Sequence, residues 1–265
     1  MLTYLFASCS SSQTSAYQRA EMLVEAPNFR DLGGYPVSGG KQTVWRKVFR
    51  SQSFAALSDS DVEKVKTLGI KTVIDFRDDS EVKKAPSRLP AGVNVVRLPI
   101  GVGNNETALR TLQGSASGTP DSAQCVRFME EANRRFVAEF APQYKAFFAI
   151  LLKPESYPLV FHCTAGKDRT GFAAAMLLSA LGMSWDAVMD DYLLTNTYLR
   201  PQAVMPQTPQ QRLPVLRQML GVQSSYIEAA KDEIEKRYGS IDSYLEKALG
   251  VGKPERKKLA KLLLK

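Results

Sequence analysis

The sequence predicts an α/β fold: a central, mostly parallel sheet flanked by helices, with a helical insertion and a helical C-terminal portion. Three observations predict it. Apolar runs of strand length alternate with stretches of helical periodicity through much of the chain. The run "GFAAAMLLSALG" is apolar nearly all round, as a helix buried against a sheet would be. From residue 185 onward only helical periodicity recurs.

Taken in order, residues 25–36 are dense in turn formers, and Gly33-Gly34 and Gly39-Gly40 bracket a hairpin-like or looped entry. Residues 43–51 have strand composition. A helix follows, capped by Ser58 or Asp59, with Val62, Val65 and Leu68 as its apolar stripe and Gly69 as its stop. Thr72-Val73-Ile74 reads as a short buried strand ending in Asp75 and Arg77, and residues 94–100 as another. Residues 101–122, rich in Gly, Ser, Thr and Asn, read as a mobile loop or lid. A long helical pattern covers residues 125–152, with a break or kink at Pro142. Residues 157–163 form a buried strand, and the helix after it stops at Gly182. Further helices are expected at 185–197, 210–220, 224–238, 240–249 and 254–264. There is no internal repeat, and the reading is a tail over 1–24 and one domain over 25–265.

The net charge of +8 favours anionic partners, but no nucleic-acid motif accompanies it, so nucleic acid is set aside. Three dispersed cysteines and one histidine supply neither a disulfide scaffold nor a metal site, so no metal or cofactor is called for. No stretch is apolar and long enough to span a bilayer. The start, "MLTYLFASCSSSQTS", resembles a lipoprotein processing site, although no basic residue precedes its short apolar run. In that reading Cys9 carries lipid and the chain is exported or lipid-anchored; the alternative is a cytoplasmic protein with a disordered tail. Lipid on Cys9 is also the expected route to a membrane. The basic, leucine-rich C-terminal helix is expected to pack its leucines on the core.

The chemistry concentrates in "FHCTAGKDRTGF", residues 161–172. A tight loop between a strand and a helix is an anion cradle, because the first helical N–H groups lack intrahelical partners and the dipole favours negative charge. Residues Thr164, Ala165, Gly166, Lys167, Asp168 and Arg169 form that cradle. Gly166 permits the tight turn, and Arg169 offers a planar fork matched to phosphate. Cys163, at the strand end, would be held as a thiolate nucleophile by the same donors. Thr170 is placed to give its hydroxyl to the sulfur, and His162 to brace the loop. Lys167 adds charge to the rim. Asp168 is the discordant member: it points outward, pairs with Lys167, or donates a proton.

"HCTAGKDRTG" resembles the His-Cys-x5-Arg-Ser/Thr-Gly loop of the protein tyrosine phosphatase superfamily. "NFRDLGG", "VFRS", "LGIKTVIDFRDDSEV", "DYLLTN" and "YGSIDSYL" further resemble the bacterial IphP-type tyrosine/serine phosphatases, from about residue 28 to the end. The resemblance implies a tyrosine-phosphatase-like fold with a helical lid within 101–148. It implies hydrolysis through a cysteinyl-phosphate, with Cys163 as nucleophile, Arg169 as phosphate ligand and no cofactor. The implied substrates are phosphotyrosine proteins, with phosphoserine/threonine or phosphoinositides as further ones. It makes Asp75 a candidate general acid. Alternatively Asp75 pairs with Arg30, Arg50 or Arg77 as scaffold, leaving the acid open between Asp75 and Asp168. Two rival functions use similar parts, a sulfurtransferase and a non-catalytic phosphate-binding module. The arginine and threonine argue against the first, and the presence of a nucleophile against the second.

Overall fold

The computed structural model describes residues 23–101, 122–199 and 218–265. The expected tail with Cys9, nearly all of the 101–122 loop and most of the helix expected at 210–220 lie outside the described residues. Among the described residues five strands form one sheet: β1 (Arg30–Asp31), β2 (Val48–Ser51), β3 (Thr72–Asp75), β4 (Asn94–Arg97) and β5 (Leu159–His162). Their order is β1-β2-β5-β3-β4, with β1 antiparallel to β2 and every other pairing parallel. This is the predicted α/β class, with β5 at the centre.

Successive strand residues face opposite sides. Val48, Ile74, Leu159 and Phe161 enter the larger core, while Phe49, Val73 and Val160 enter a smaller one on the other face. Helix α1 (Asp59–Thr67) covers the smaller core with Val62 and Val65. A short α2 (Asp79–Lys84) has no fully buried residue. Among the described residues the larger core is supplied by α3 (Ser122–Ala138), α4 (Ala141–Leu151), α5 (Arg169–Ala180), α6 (Trp185–Tyr198), α7 (Ser224–Tyr238), α8 (Ile241–Lys247) and α9 (Lys253–Leu263). α5 is buried on nearly every face, as its composition predicts, because it lies between the sheet and α6, α7 and α8.

Local signals explain most element ends. Ser58 caps α1 through a capping box with Asp61, and Gly69 follows the helix at φ +67°. The break at Pro142 is real: α3 ends at Ala138 and α4 restarts with proline in its first turn. The leucines of α9 face inward, with Leu259 and Leu263 buried. The C-terminus is stapled beside Gln42 and Val44 by backbone bonds from Val44 N to Leu263 O (2.8 Å) and from Lys265 N to Gln42 O (3.0 Å).

The strands are shorter than the apolar runs suggest. Only 48–51 of the 43–51 run and 94–97 of the 94–100 run are strand, although Thr43 makes an isolated bridge to Leu264 and Leu98 N and Ile100 N still donate to Asp75 O (2.9 Å) and Phe76 O (3.0 Å). β1 arises inside the turn-rich stretch. Arg30 and Asp31 read as loop residues, yet both are buried because each finds partners: Asp31 accepts from Gly33 N and Arg46 N at 2.7 Å each.

Candidate active site

The parallel strands end together, since Ser51, His162 and Asp75 lie side by side in register. Cys163 follows immediately, at the carboxyl end of the central strand, where open parallel sheets bind ligands. It is a free cysteine, 3% exposed. Residues 163–168 loop from β5 into α5, which begins at Arg169. A cavity of about 600 Å³ lined by Lys66, Lys71, Asn94 and Lys153 includes the starts of β3 and β4, away from this loop.

Three consecutive loop carbonyls are turned away from the loop interior. Thr164 O accepts from Ser53 N (2.9 Å), Ala165 O from Asn28 Nδ2 (2.9 Å) and Gly166 O from Arg50 Nη2 (2.9 Å). In a planar trans peptide the following N–H points opposite to the carbonyl. The amides of Ala165, Gly166 and Lys167 therefore face inward. Among the described residues the amides of Thr164 to Asp168 donate to nothing. Gly166 is required by the tight approach: its φ is +69°, and a Cβ there would lie 2.2 Å from Ser51 O.

A charged cluster holds this brace in place. Asp191 of α6 accepts from Arg30 Nε (3.1 Å), Arg50 Nη1 (2.7 Å) and Tyr35 Oη (2.7 Å), all buried. Arg30 Nη1 in turn donates to Asn28 Oδ1 at 2.5 Å. Burial pushes the Asp191 carboxyl up, but Arg30 and Arg50 outweigh it and hold it well below the usual range. Burial, aided by Arg30, pulls Arg50 down to about 10. A Cβ on Gly171 would sit 2.7 Å from the Tyr192 ring, so glycine lets α5 lie against α6 at this point.

Arg169 is buried and points its terminal nitrogens at Glu81 of α2: Nη1 donates to Oε2 (2.6 Å) and Nη2 to Oε1 (2.7 Å). Burial opposes its charge, but Glu81 and Cys163 hold its pKa raised. Burial pushes Glu81 up, and Arg169 outweighs it, bringing the carboxyl down to about 2.

The candidate acids separate by their surroundings. Asp75 gives both oxygens to Arg77, at 3.0 Å (Nε–Oδ1) and 2.7 Å (Nη2–Oδ2), and also accepts from Arg77 N at 2.9 Å. Burial pushes its carboxyl up, but Arg77 and His162 hold it below the ordinary range, the wrong direction for a proton donor. Of the three arginines offered by the scaffold reading of Asp75, the one it pairs with is Arg77. Asp168 makes no cap bond and pairs with Lys167 Nζ at 2.8 Å. Lys167 is not on the rim as expected: it is buried, with Nζ 6.0 Å from the Tyr226 ring centroid.

His162 is buried, and its Nδ1 donates to Cys163 O at 2.9 Å. Burial lowers its pKa, so the ring is neutral at pH 7. Thr170 Oγ1 is buried but makes no bond to the cysteine sulfur here; it has no partner among the described residues. Sequence reasoning missed the roles of Asn28, Ser53, Glu81 and Asp191. Only Glu81 carries a local signal, the Asp78-x-x-Glu81 capping box.

Asp75, Glu81, Asp191 and His162 all have folded pKa values below their ordinary ones. Each contributes stability that is complete above its unfolded pKa and is lost as pH falls toward the folded value. Stability is therefore expected to decline from about pH 6.5 with His162 and more steeply below about pH 4.5 with the carboxylates. Urea midpoints at pH 7, 5.5, 4 and 3 check this, and a flat midpoint over that range would contradict it.

A protein-tyrosine-phosphatase-type hydrolase is the class that this sheet and this loop define together. The chain belongs to the tyrosine phosphatase family, whose model matches residues 22–265. It is 35% identical over 234 residues to a Cupriavidus necator protein named as a tyrosine-protein phosphatase, covering 84% of this chain and 82% of that one. It is 31% identical over 236 residues to the triple specificity protein phosphatase PtpB of Mycobacterium tuberculosis, covering 76% and 85%. Among solved structures, Pseudomonas aeruginosa TpbA in complex with phosphotyrosine aligns over 68% of this chain and 91% of that one, with 17% identity and a TM-score of 0.31.

Proposed function

We propose that the chain hydrolyses phosphomonoesters through a cysteinyl-phosphate. Phosphotyrosine is the first substrate class, with phosphoserine, phosphothreonine and phosphoinositides as further ones. The observation that carries this reading is the loop itself: outward carbonyls, unspent inward amides, a free cysteine behind them and an arginine at the helix start. In the first step Sγ attacks phosphorus; the S–P bond forms as the ester P–O bond breaks, and Asp168 gives its proton to the leaving oxygen. In the second step water attacks phosphorus, Asp168 takes a proton back, and the thiolate leaves with Thr170 donating to it. The amides and Arg169 hold the nonbridging oxygens in both transition states. The name of the mycobacterial relative supports breadth of substrate, and the net charge of +8 suits anionic ones.

The test is a substrate panel in EDTA with wild type, Asp168→Asn and Asp75→Asn. Wild type is expected to turn over aryl and alkyl phosphates and to be blocked by vanadate. Asp168→Asn is expected to lose about 10²-fold or more on poor leaving groups and far less on p-nitrophenyl phosphate. That leaving-group dependence in Asp75→Asn instead would move the acid to Asp75. Turnover of thiosulfate with none on any phosphoester would sink the whole reading.

A further inference from the structure

We propose that Glu81 is a positioning residue for phosphoryl transfer, fixing Arg169 end-on so that its Nε–Nη2 edge is left for two phosphoryl oxygens. The inference rests on the cysteinyl-phosphate reading and adds a residue to it. Four donors converge on this one carboxylate: Arg169 Nη1 and Nη2, the Thr164 hydroxyl, and Asp78 N at 2.9 Å. That is as many as a carboxylate readily accepts, so Glu81 is fixed in place. The second hydrogen of Arg169 Nη1 is directed at backbone carbonyls, Ile100 O at 3.1 Å and Phe76 O at 3.4 Å. Nε, by contrast, donates to nothing among the described residues, and Nη2 has only a 3.4 Å approach to Thr164 Oγ1 besides Glu81.

A guanidinium has five N–H donors in a rigid plane, so fixing its far end fixes its near edge. The far end is fixed here by one anion and two carbonyls, and the edge left over is the bidentate one that matches phosphate. Thr164, the first residue after the cysteine, ties the loop to the same carboxylate. Glu81 thus links the loop, the arginine and the N-terminus of α2.

The competing account is that Glu81 only caps α2. A double-mutant cycle separates the two. Glu81→Gln is expected to lower kcat/KM for p-nitrophenyl phosphate by about 10–100-fold in the wild-type background, the scale of a misaimed catalytic group. In an Arg169→Lys background, where the fork is gone, the same substitution is expected to cost less than about threefold. A purely structural role predicts equal factors in both backgrounds within about twofold, and that result would overturn the proposal. Asp78→Ala, which removes the other half of the capping box, is expected to lower Tm while leaving kcat/KM unchanged within about threefold. Vanadate binding by calorimetry reads the same geometry without turnover, with about tenfold weaker binding expected for Glu81→Gln. Unchanged affinity there would also overturn the role. Absence of turnover in wild type would strike the catalytic reading alone.

Discussion

Cys163→Ser is expected to lower kcat/KM on phosphotyrosine by at least about 10⁴-fold while leaving the fold and anion binding intact. The size of the effect follows from what the site lacks. A serine hydroxyl is a weak nucleophile unless a base takes its proton. The nearest imidazole, His162, is neutral, and its one N–H is spent on Cys163 O at 2.9 Å. Its other ring nitrogen, Nε2, is buried without a partner among the described residues. Asp75 is closed off by Arg77. No Ser-His-acid substitute is therefore assembled by the change. Serine is close to cysteine in size, so the outward carbonyls and their partners are undisturbed. Vanadate or inorganic phosphate should still bind Cys163→Ser, as calorimetry would show, with turnover lost. Retention of more than a tenth of wild-type activity would end the covalent mechanism.

How far the sequence could be read depended on whether partners were near one another in the chain. Cys163, Gly166, Arg169 and Thr170 share one strand–loop–helix unit, so spacing alone reveals them. The brace behind the loop is built from residues up to 161 positions apart, as with Arg30 and Asp191. Nothing local marks Arg30 or Arg50 as buried. Each sits in a stretch of ordinary turn or strand composition, and becomes a core residue only because Asp191 arrives on α6. For the same reason the sequence of β1 reads as turn. Its two charged residues argue against a buried strand until their partners are known. Asp75 had three candidate arginines in the sequence; geometry selects Arg77, two residues away, and gives the other two to Asp191. Lys167 and Asp168 could be seen as a pair, but the direction they take, under Tyr226 rather than out to the rim, depends on α7.

The second large effect falls on stability, at Asp191. Replacing it by alanine leaves the guanidiniums of Arg30 and Arg50 buried with no carboxylate between them; both residues are 0% exposed. Breaking one side of a buried ion pair costs about 3–5 kcal/mol, because the remaining charge is left uncompensated. In a chain of this size each kcal/mol shifts Tm by about 2–4 °C, so a fall of roughly 6–20 °C is expected. Asp191→Asn keeps an acceptor for Tyr35 Oη or one arginine and should fall by less. Activity should fall as well, by a traceable route. Arg50 reaches from Asp191 Oδ2 to Gly166 O, and Arg30 reaches from Asp191 to Asn28, which holds Ala165 O. Without the carboxylate, two of the three outward carbonyls lose their fixed partners, and the amides behind them lose their aim. Assayed well below its own Tm, Asp191→Ala should therefore show kcat reduced about 10²-fold, the cost of misplaced catalytic groups. Thermal unfolding and kinetics at 15 °C check both halves. A Tm within about 2 °C of wild type would refute the stability argument, since that is the shift of a single exposed hydrogen bond rather than of a buried ion cluster.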